Sequence, residues 1–170
     1  MPKLAILAAI LIAFAGAAGA QTAPTPAANP PPSPPPYGAP IDLARAESAI
    51  AAAVAEAVKR DWTMNVAVVD SGTNLVAFAR MDGAQLASIA IAEHKARTAA
   101  AFRRPTRAFE EAARNGAAVL SLDGVIALAG GAPLIEDGKL IGAIGCSGGT
   151  SAEDEATCLA GAATINGAGN

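Results

Sequence analysis

The sequence predicts an α+β domain with a five-stranded, mainly antiparallel sheet flanked by helices. Four segments repeat apolar residues at helical spacing or carry strong helix formers, and five short apolar runs are typical of strands. Turn residues join two pairs of these runs directly, which makes each pair a hairpin. The order is helix, hairpin, two helices, three strands and a helix, and it favours helices packed on an antiparallel sheet.

The first helix and hairpin follow from periodicity. Residues 42–61 place apolar side chains at helical spacing, which predicts a helix. Residues 63–70 and 75–81 are predicted strands, joined by turn residues 71–74. The run from Val66 to Val69 contains no polar residue, so we expect its strand to be covered on both faces.

Two helices come next. Residues 86–103 contain good helix formers throughout, and Pro105 stops this helix because proline disfavours a helical residue before it. Pro105 also suits the first turn of a further helix, which Asn115 and Gly116 would end.

Three strands and a helix complete the domain. Residues 124–129 are predicted as a short strand, residues 134–136 and 139–146 as a tight hairpin, and a helix begins near Ala152. The turn of this hairpin is Asp137-Gly138, a pair favoured where both central residues need positive φ. That register places Glu136 opposite Lys139, as a cross-strand ion pair.

The glycine-rich segment 145–149 leads into this last helix. It resembles a loop that cradles an anion, but three carboxylates follow it at the helix N-terminus. Ser151 with Asp154 has the spacing of a capping box. We therefore favour structural capping over anion binding.

The N-terminus has the three parts of a secretory signal peptide over residues 1–20. Lys3 gives a positive start, residues 4–14 are apolar, and Ala18-Gly19-Ala20 is a small-residue cleavage site before Gln21. A membrane anchor needs about twenty apolar residues, so cleavage is the favoured interpretation. We expect a periplasmic or secreted protein.

A Pro/Ala-rich linker over residues 21–40 separates the signal from a domain at 41–170. Proline fixes φ and removes backbone donors, so the linker should be an extended polyproline II tether. Tyr37 near its end is interpreted as a solvated ring, with a docking handle as the alternative.

Charge and composition exclude several function classes. Loss of Lys3 with the signal leaves 11 basic and 15 acidic residues, a net charge of −4, which does not recommend nucleic acid or an anionic membrane as partner. The single histidine, His94, excludes mechanisms that need two within one subunit. Zinc-ligand spacing, a nucleophile elbow and a phosphate loop are all missing from the sequence.

Cys146 and Cys158 flank the last strand-to-helix connection. An oxidising compartment makes a disulfide conceivable, and two buried thiols are the other interpretation. We favour the free thiols.

The densest set of functional side chains lies near the end of the second helix. His94 and Thr98 share a face, and Lys95 and Thr98 share an adjacent one. Arg103, Arg104 and Arg107 extend the positive charge past the helix end. One interpretation is a solvated basic face that suits a helix C-terminus. The other is a patch that receives carboxylates, such as haem propionates or a small organic acid.

Five motifs, in order, resemble the GlcG/HbpS family over residues 43–162. They are Val66-Ala67-Val68-Val69-Asp70-x-Gly72, Arg80-Met81-Asp82-Gly83, Lys95-Ala96-Arg97-Thr98-Ala99-Ala100, Gly130-Gly131-x-Pro133 and Gly142-Ala143-Ile144-Gly145-x-Ser147-Gly148. The resemblance implies a five-stranded antiparallel sheet with flanking helices, assembly into dimers or larger oligomers, and a link to haem binding or degradation. It supplies no set of catalytic residues.

The resemblance and the basic segment together lead to one hypothesis. The chain is predicted to be an exported haem-binding protein, with Lys95, Thr98, Arg103 and Arg104 lining the site and His94 as an axial metal ligand. Few aromatic residues are present, so we expect a shallow site or one between subunits. A non-catalytic module that binds a small organic acid or another protein is the alternative, and turnover of haem is a third interpretation.

Overall fold

A computed structural model of the chain describes residues 33–167, which belong to one compact unit. The predicted signal peptide and most of the predicted linker lie outside the described residues. Within residues 33–167, no helix combines the length and the apolar character that crossing a bilayer requires.

The helices and strands follow the predicted order with one exception. The elements are α1 (Leu43–Lys59), β1 (Asn65–Asp70), β2 (Leu75–Arg80), α2 (Ala87–Phe102), α3 (Arg107–Asn115), a 3-10 turn (Ala117–Ser121), β3 (Gly131–Glu136), β4 (Lys139–Ser147) and α4 (Ser151–Asn166). The predicted α+β class with an antiparallel sheet is confirmed, but the described sheet has four strands, in the order β2-β1-β4-β3. The fifth predicted strand, residues 124–129, is a loop.

Both faces of the sheet are covered, as the apolar run in β1 predicts. Val66 and Val68 point into a core shared with α1 and α4, while Ala67 and Val69 pack beneath α2. Alanines on α2 allow its backbone to approach β4 so closely that a methyl group at Gly145 would overlap the Ala92 carbonyl oxygen. This close approach sets the distance between α2 and the sheet.

The β3–β4 hairpin has the predicted turn but not the predicted ion pair. Asp137 and Gly138 both have positive φ, 49° and 72°, and Glu136 stands opposite Lys139. Glu136 nevertheless pairs with Arg45 of α1. The ion pair predicted with Lys139 is therefore wrong, because a guanidinium from a neighbouring helix takes the carboxylate.

Candidate functional site

A buried ion pair joins α2 to the start of α4. The ammonium of Lys95 lies 2.5 Å from Asp154 Oδ2 and donates a second hydrogen bond, of 3.1 Å, to the Cys146 carbonyl oxygen in β4. The side chain of Lys95 is 1% exposed and that of Asp154 is 5% exposed. The interpretation in which Lys95 belongs to a solvated basic face is therefore wrong for this residue.

Asp154 is also held from the other side. Its Oδ1 accepts hydrogen bonds of 3.0 Å from the backbone amides of Gly148 and Gly149. The pair sits against Gly130, which has a φ of +109° and where a Cβ would lie 2.7 Å from Asp154 Cβ. Only glycine fits there, because the conformation is left-handed and the space is already filled.

Burial works against both charges of the pair. It lowers the pKa of Lys95, and the attraction of Asp154 only partly offsets this. Burial likewise raises the pKa of Asp154, opposed by the charge of Lys95 and by the two backbone amides. The ammonium of Lys95 and both oxygens of Asp154 have hydrogen-bond partners within the protein, so the pair links α2, β4 and α4 and is not an open binding site.

The capping of α4 differs by one residue from the sequence-based expectation. Thr150 is the N-cap, and it exchanges hydrogen bonds with Glu153 in a capping box. The predicted box of Ser151 and Asp154 is wrong, because the carboxylate of Asp154 is turned inward to Lys95.

A disulfide joins Cys146 of β4 to Cys158 of α4, with the Cα atoms 5.5 Å apart. Both residues are fully buried. The preference for two free thiols is therefore wrong. Residue 158 lies on the face of α4 that returns over the end of β4, which brings the Cα atoms within bridging range.

Thr98 holds the loop that follows the 3-10 turn. Its hydroxyl donates to the Gly124 carbonyl oxygen at 2.9 Å and accepts from the Ile126 amide at 3.1 Å. The residue is fully buried. Residues 124–126 are therefore pinned along one flank of α2 by a side chain instead of by a strand partner.

His94 stands one turn before Thr98 on the same flank of α2. It is half-buried, and its imidazole makes no hydrogen bond or ion pair with another described residue. No set of three or more histidine, cysteine, aspartate or glutamate side chains within residues 33–167 is arranged to hold a metal ion. His94 is thus a single donor at this surface.

Three exposed leucines lie on either side of the residues that Thr98 holds. Leu120, Leu122 and Leu128 are 62%, 46% and 42% exposed. Val125 and Ile126 between them are half-buried. Three exposed leucines on one short segment are candidates for a ligand or partner surface.

Arg103 and Arg104 lie at the C-terminal end of α2. Arg103 donates to the Pro35 carbonyl oxygen at 3.2 Å and stacks over the Tyr37 ring at 5.0 Å. Arg104 lies 5.9 Å from the centre of the Phe109 ring. Neither guanidinium forms an ion pair with a carboxylate of the described residues, whereas Arg107 pairs with Glu155.

The sequence did not predict the contacts of two residues, Asp154 and Tyr37. Asp154 was placed in a cap because three consecutive acidic positions look alike in sequence, and only burial distinguishes them. Tyr37 is 49% exposed, as a solvated ring should be, but its hydroxyl also donates to the Ala101 carbonyl oxygen at 2.8 Å, which the sequence did not predict. The run of prolines before it gave no signal of that contact.

Fold and site together define a class: a small α+β domain whose antiparallel sheet is covered on both faces and braced by a buried lysine–aspartate pair. The chain belongs to the HbpS-like family, since the family model described as haem degrading protein HbpS-like matches residues 41–163. It is 42% identical over 103 residues to Protein GlcG of Escherichia coli strain K12, which covers 60% of this chain and 77% of GlcG.

Two solved structures share the fold. The crystal structure of HbpS superposes with a TM-score of 0.71 at 33% identity, covering 76% of this chain and 92% of HbpS. The crystal structure of a PduOC:heme complex gives a TM-score of 0.69 at 30% identity, covering 75% of this chain and 96% of that one. The five motifs of the sequence therefore indicated the right family.

Proposed function

We propose that this chain is an exported haem-binding protein whose ligand lies on the His94 flank of α2. Family membership and the likeness to a haem complex support haem as the ligand class. The observation that carries the placement is the half-buried imidazole of His94, which has no described partner and lies on the flank against which the apolar loop is pinned.

The residues present fit the requirements of haem. Haem needs an apolar surface and an axial donor, and its propionates suit guanidinium groups, which bind carboxylates in a bidentate manner. The exposed leucines Leu120, Leu122 and Leu128 supply apolar area, and His94 would hold the iron. Arg103 and Arg104 would receive the propionates. When bound, haem supplies a redox-active iron.

Two of the predicted site residues take a different part in this proposal. Lys95 is buried in its ion pair with Asp154, so we assign it the support of α2 and not contact with haem. The hydroxyl of Thr98 makes two hydrogen bonds to the loop at 124–126, so we assign it the role of holding the segment that carries the exposed leucines. The exposure of these leucines favours a site completed by a second copy of the chain.

Export is the second half of the proposal. Residues 1–20 have the pattern of a signal peptide, and a disulfide between Cys146 and Cys158 suits an oxidising compartment. The intact mass of protein recovered from the exported fraction should correspond to a chain that begins at or near Gln21. Recovery of a membrane-embedded chain that retains Met1 would contradict export.

A visible absorption titration with haemin tests the ligand. The purified protein should give a saturable Soret change at stoichiometric haemin. His94→Ala should shift the Soret band and lower affinity, because it removes an axial donor. Arg104→Ala should weaken binding by about 1–3 kcal/mol without shifting the band. Arg114→Ala is the matched control, since Arg114 is an exposed arginine of α3 that pairs with Glu110.

The competing function is the binding of a small organic acid. Arg103 and Arg104 have no carboxylate partner among the described residues, and this favours an anionic ligand whatever its remaining structure. The absence of a saturable Soret change would reject haem and leave the small acid as the leading candidate. Conversion of the haem spectrum to that of an open-chain product would add turnover to binding.

A further inference from the structure

The end of the linker forms a strap, residues 35–41, that lies along β4. The Pro36 carbonyl oxygen accepts from the Leu140 amide at 2.8 Å, and the Gly38 amide donates to the Leu140 carbonyl oxygen at 2.7 Å. Ile41 then donates to Ile141 at 2.9 Å and enters the core. The strap therefore continues the sheet with a short parallel bridge at Tyr37.

Tyr37 connects this strap to the C-terminal end of α2. Its hydroxyl donates to the Ala101 carbonyl oxygen at 2.8 Å, a helix-end acceptor that has no partner within the helix. Its ring lies under the guanidinium of Arg103, 5.0 Å from the ring centre. Arg103 in turn donates one N–H to the Pro35 carbonyl oxygen at 3.2 Å. The strap and Arg103 thus hold each other in place.

We propose that Tyr37 is a positioning residue that fixes Arg103 for capture of a ligand carboxylate. The proposal rests on the proposed function and assigns a role in it to the strap. A guanidinium carries five N–H donors, and the strap carbonyl takes one of them. The tyrosine ring covers a face of the group and leaves donors at its edge. A held guanidinium loses less side-chain entropy when it binds a carboxylate.

This arrangement distinguishes Arg103 from its neighbour. Arg104 lies over Phe109, and among the described residues its guanidinium donates to the Phe102 carbonyl oxygen at 3.4 Å and makes no hydrogen bond to the strap. The effect of removing the Tyr37 ring should therefore depend on residue 103 and not on residue 104. A cation–π contact at an exposed site corresponds to about a two- to fivefold change in affinity.

The experiment compares haemin with haemin whose two propionates are methyl esters, on the full exported protein. Tyr37→Ala and Arg103→Lys should each weaken haemin binding about two- to fivefold, and the double variant should be no weaker than Arg103→Lys alone. Tyr37→Phe keeps the ring and should retain most of the affinity. The methyl ester should bind wild type and variants alike, because it presents no carboxylate.

A second measurement reports the strap directly. The chain has one tyrosine, so incorporation of 3-fluorotyrosine gives a single ¹⁹F resonance at Tyr37. Haemin should shift this resonance with the same midpoint as the Soret change, and Arg103→Lys should displace it in the free protein.

The outcomes separate the two proposals. Equal haemin affinity of wild type and Tyr37→Ala, with a normal Soret change, would overturn the role of Tyr37 and leave haem binding intact. An equal loss for haemin and its ester would also overturn it, since the strap would then act only through stability. No Soret change in wild type would reject the proposed function and this inference with it.

Discussion

Replacing Lys95 with methionine removes the ammonium that is paired with the carboxylate of Asp154. Both side chains are almost fully buried, so the remaining charge cannot be solvated by water. Loss of one partner from a buried pair costs about 3–5 kcal/mol of unfolding free energy. The two amide hydrogen bonds to Asp154 Oδ1 are retained. We therefore expect the loss for Lys95→Met to lie near the lower end of this range, at about 3 kcal/mol.

Asp154→Leu should lower the unfolding free energy by more than Lys95→Met does. It leaves the ammonium of Lys95 buried and also removes the acceptor for the Gly148 and Gly149 amides, each worth about 1 kcal/mol where water is not at hand. Gly149 is exposed and can bond to water, so only part of that amount is added. The double variant Lys95→Met/Asp154→Leu removes both charges and should recover most of the loss.

Urea unfolding, followed by the single tryptophan, measures these differences. Lys139→Met is the matched control, because Lys139 is an exposed lysine with no ion pair among the described residues, and its effect should stay within about 0.5 kcal/mol. A loss below about 1 kcal/mol for Lys95→Met, or a double variant as unstable as Asp154→Leu, would refute the interpretation of the pair as a buried strut.

Three further predictions concern the same region. Burial raises the pKa of Asp154 above 3.8, so between 3.8 and the raised value the folded protein binds more protons than the unfolded chain. Wild type should gain stability relative to the Lys95→Met/Asp154→Leu variant as the pH falls through that window in urea titrations; a relative loss would contradict the shift. Thiol counting in denaturant without reductant should find neither Cys146 nor Cys158 free, and reduction should cost about 3 kcal/mol for their separation of 12 residues; two thiols would show that the bridge is absent. Gly145→Ala should lower the unfolding free energy by at least about 2 kcal/mol, because its methyl meets the Ala92 carbonyl oxygen. The control Gly116→Ala places its methyl in open space and should have little effect; a loss for Gly145→Ala as small as that of the control would argue against the close approach.

Elements defined by local chemistry were predictable from the sequence. The Asp137-Gly138 turn needs two positive φ angles, and its residue types state this directly. Pro105 ends α2 and precedes α3 through its own covalent geometry. The apolar run of β1 predicted burial on both faces, which the packing under α2 and over α1 and α4 confirms.

The loop at 124–126 shows where local pattern misled. Its apolar residues are typical of a strand, but they are half-buried against a helix flank and their backbone is held by the hydroxyl of Thr98. An apolar residue indicates that its side chain is covered, but it does not indicate whether the residue itself belongs to a strand or to a loop packed on a helix. The prediction of a fifth strand was wrong for this reason.

The side chains of the basic segment of α2 lie in different environments, which their spacing in the sequence does not predict. Lys95 turns into the protein, Thr98 pins a loop, His94 stays half-buried at the surface, and Arg103 turns to the strap. Neighbouring positions on a helix point about 100° apart, so which flank meets the sheet decides the role of each residue.

The sequence by itself determined the family, the helices, both hairpins and the chemistry available to a ligand, because each depends on residue type and on neighbours in the chain. Tertiary structure alone decided that Lys95 meets Asp154, that Cys146 meets Cys158 and that Tyr37 reaches Arg103. These partners are 59, 12 and 66 residues apart. Their meeting is fixed by how closely the glycines and alanines let α2 and α4 approach the sheet, which is a property of packing and not of any local pattern.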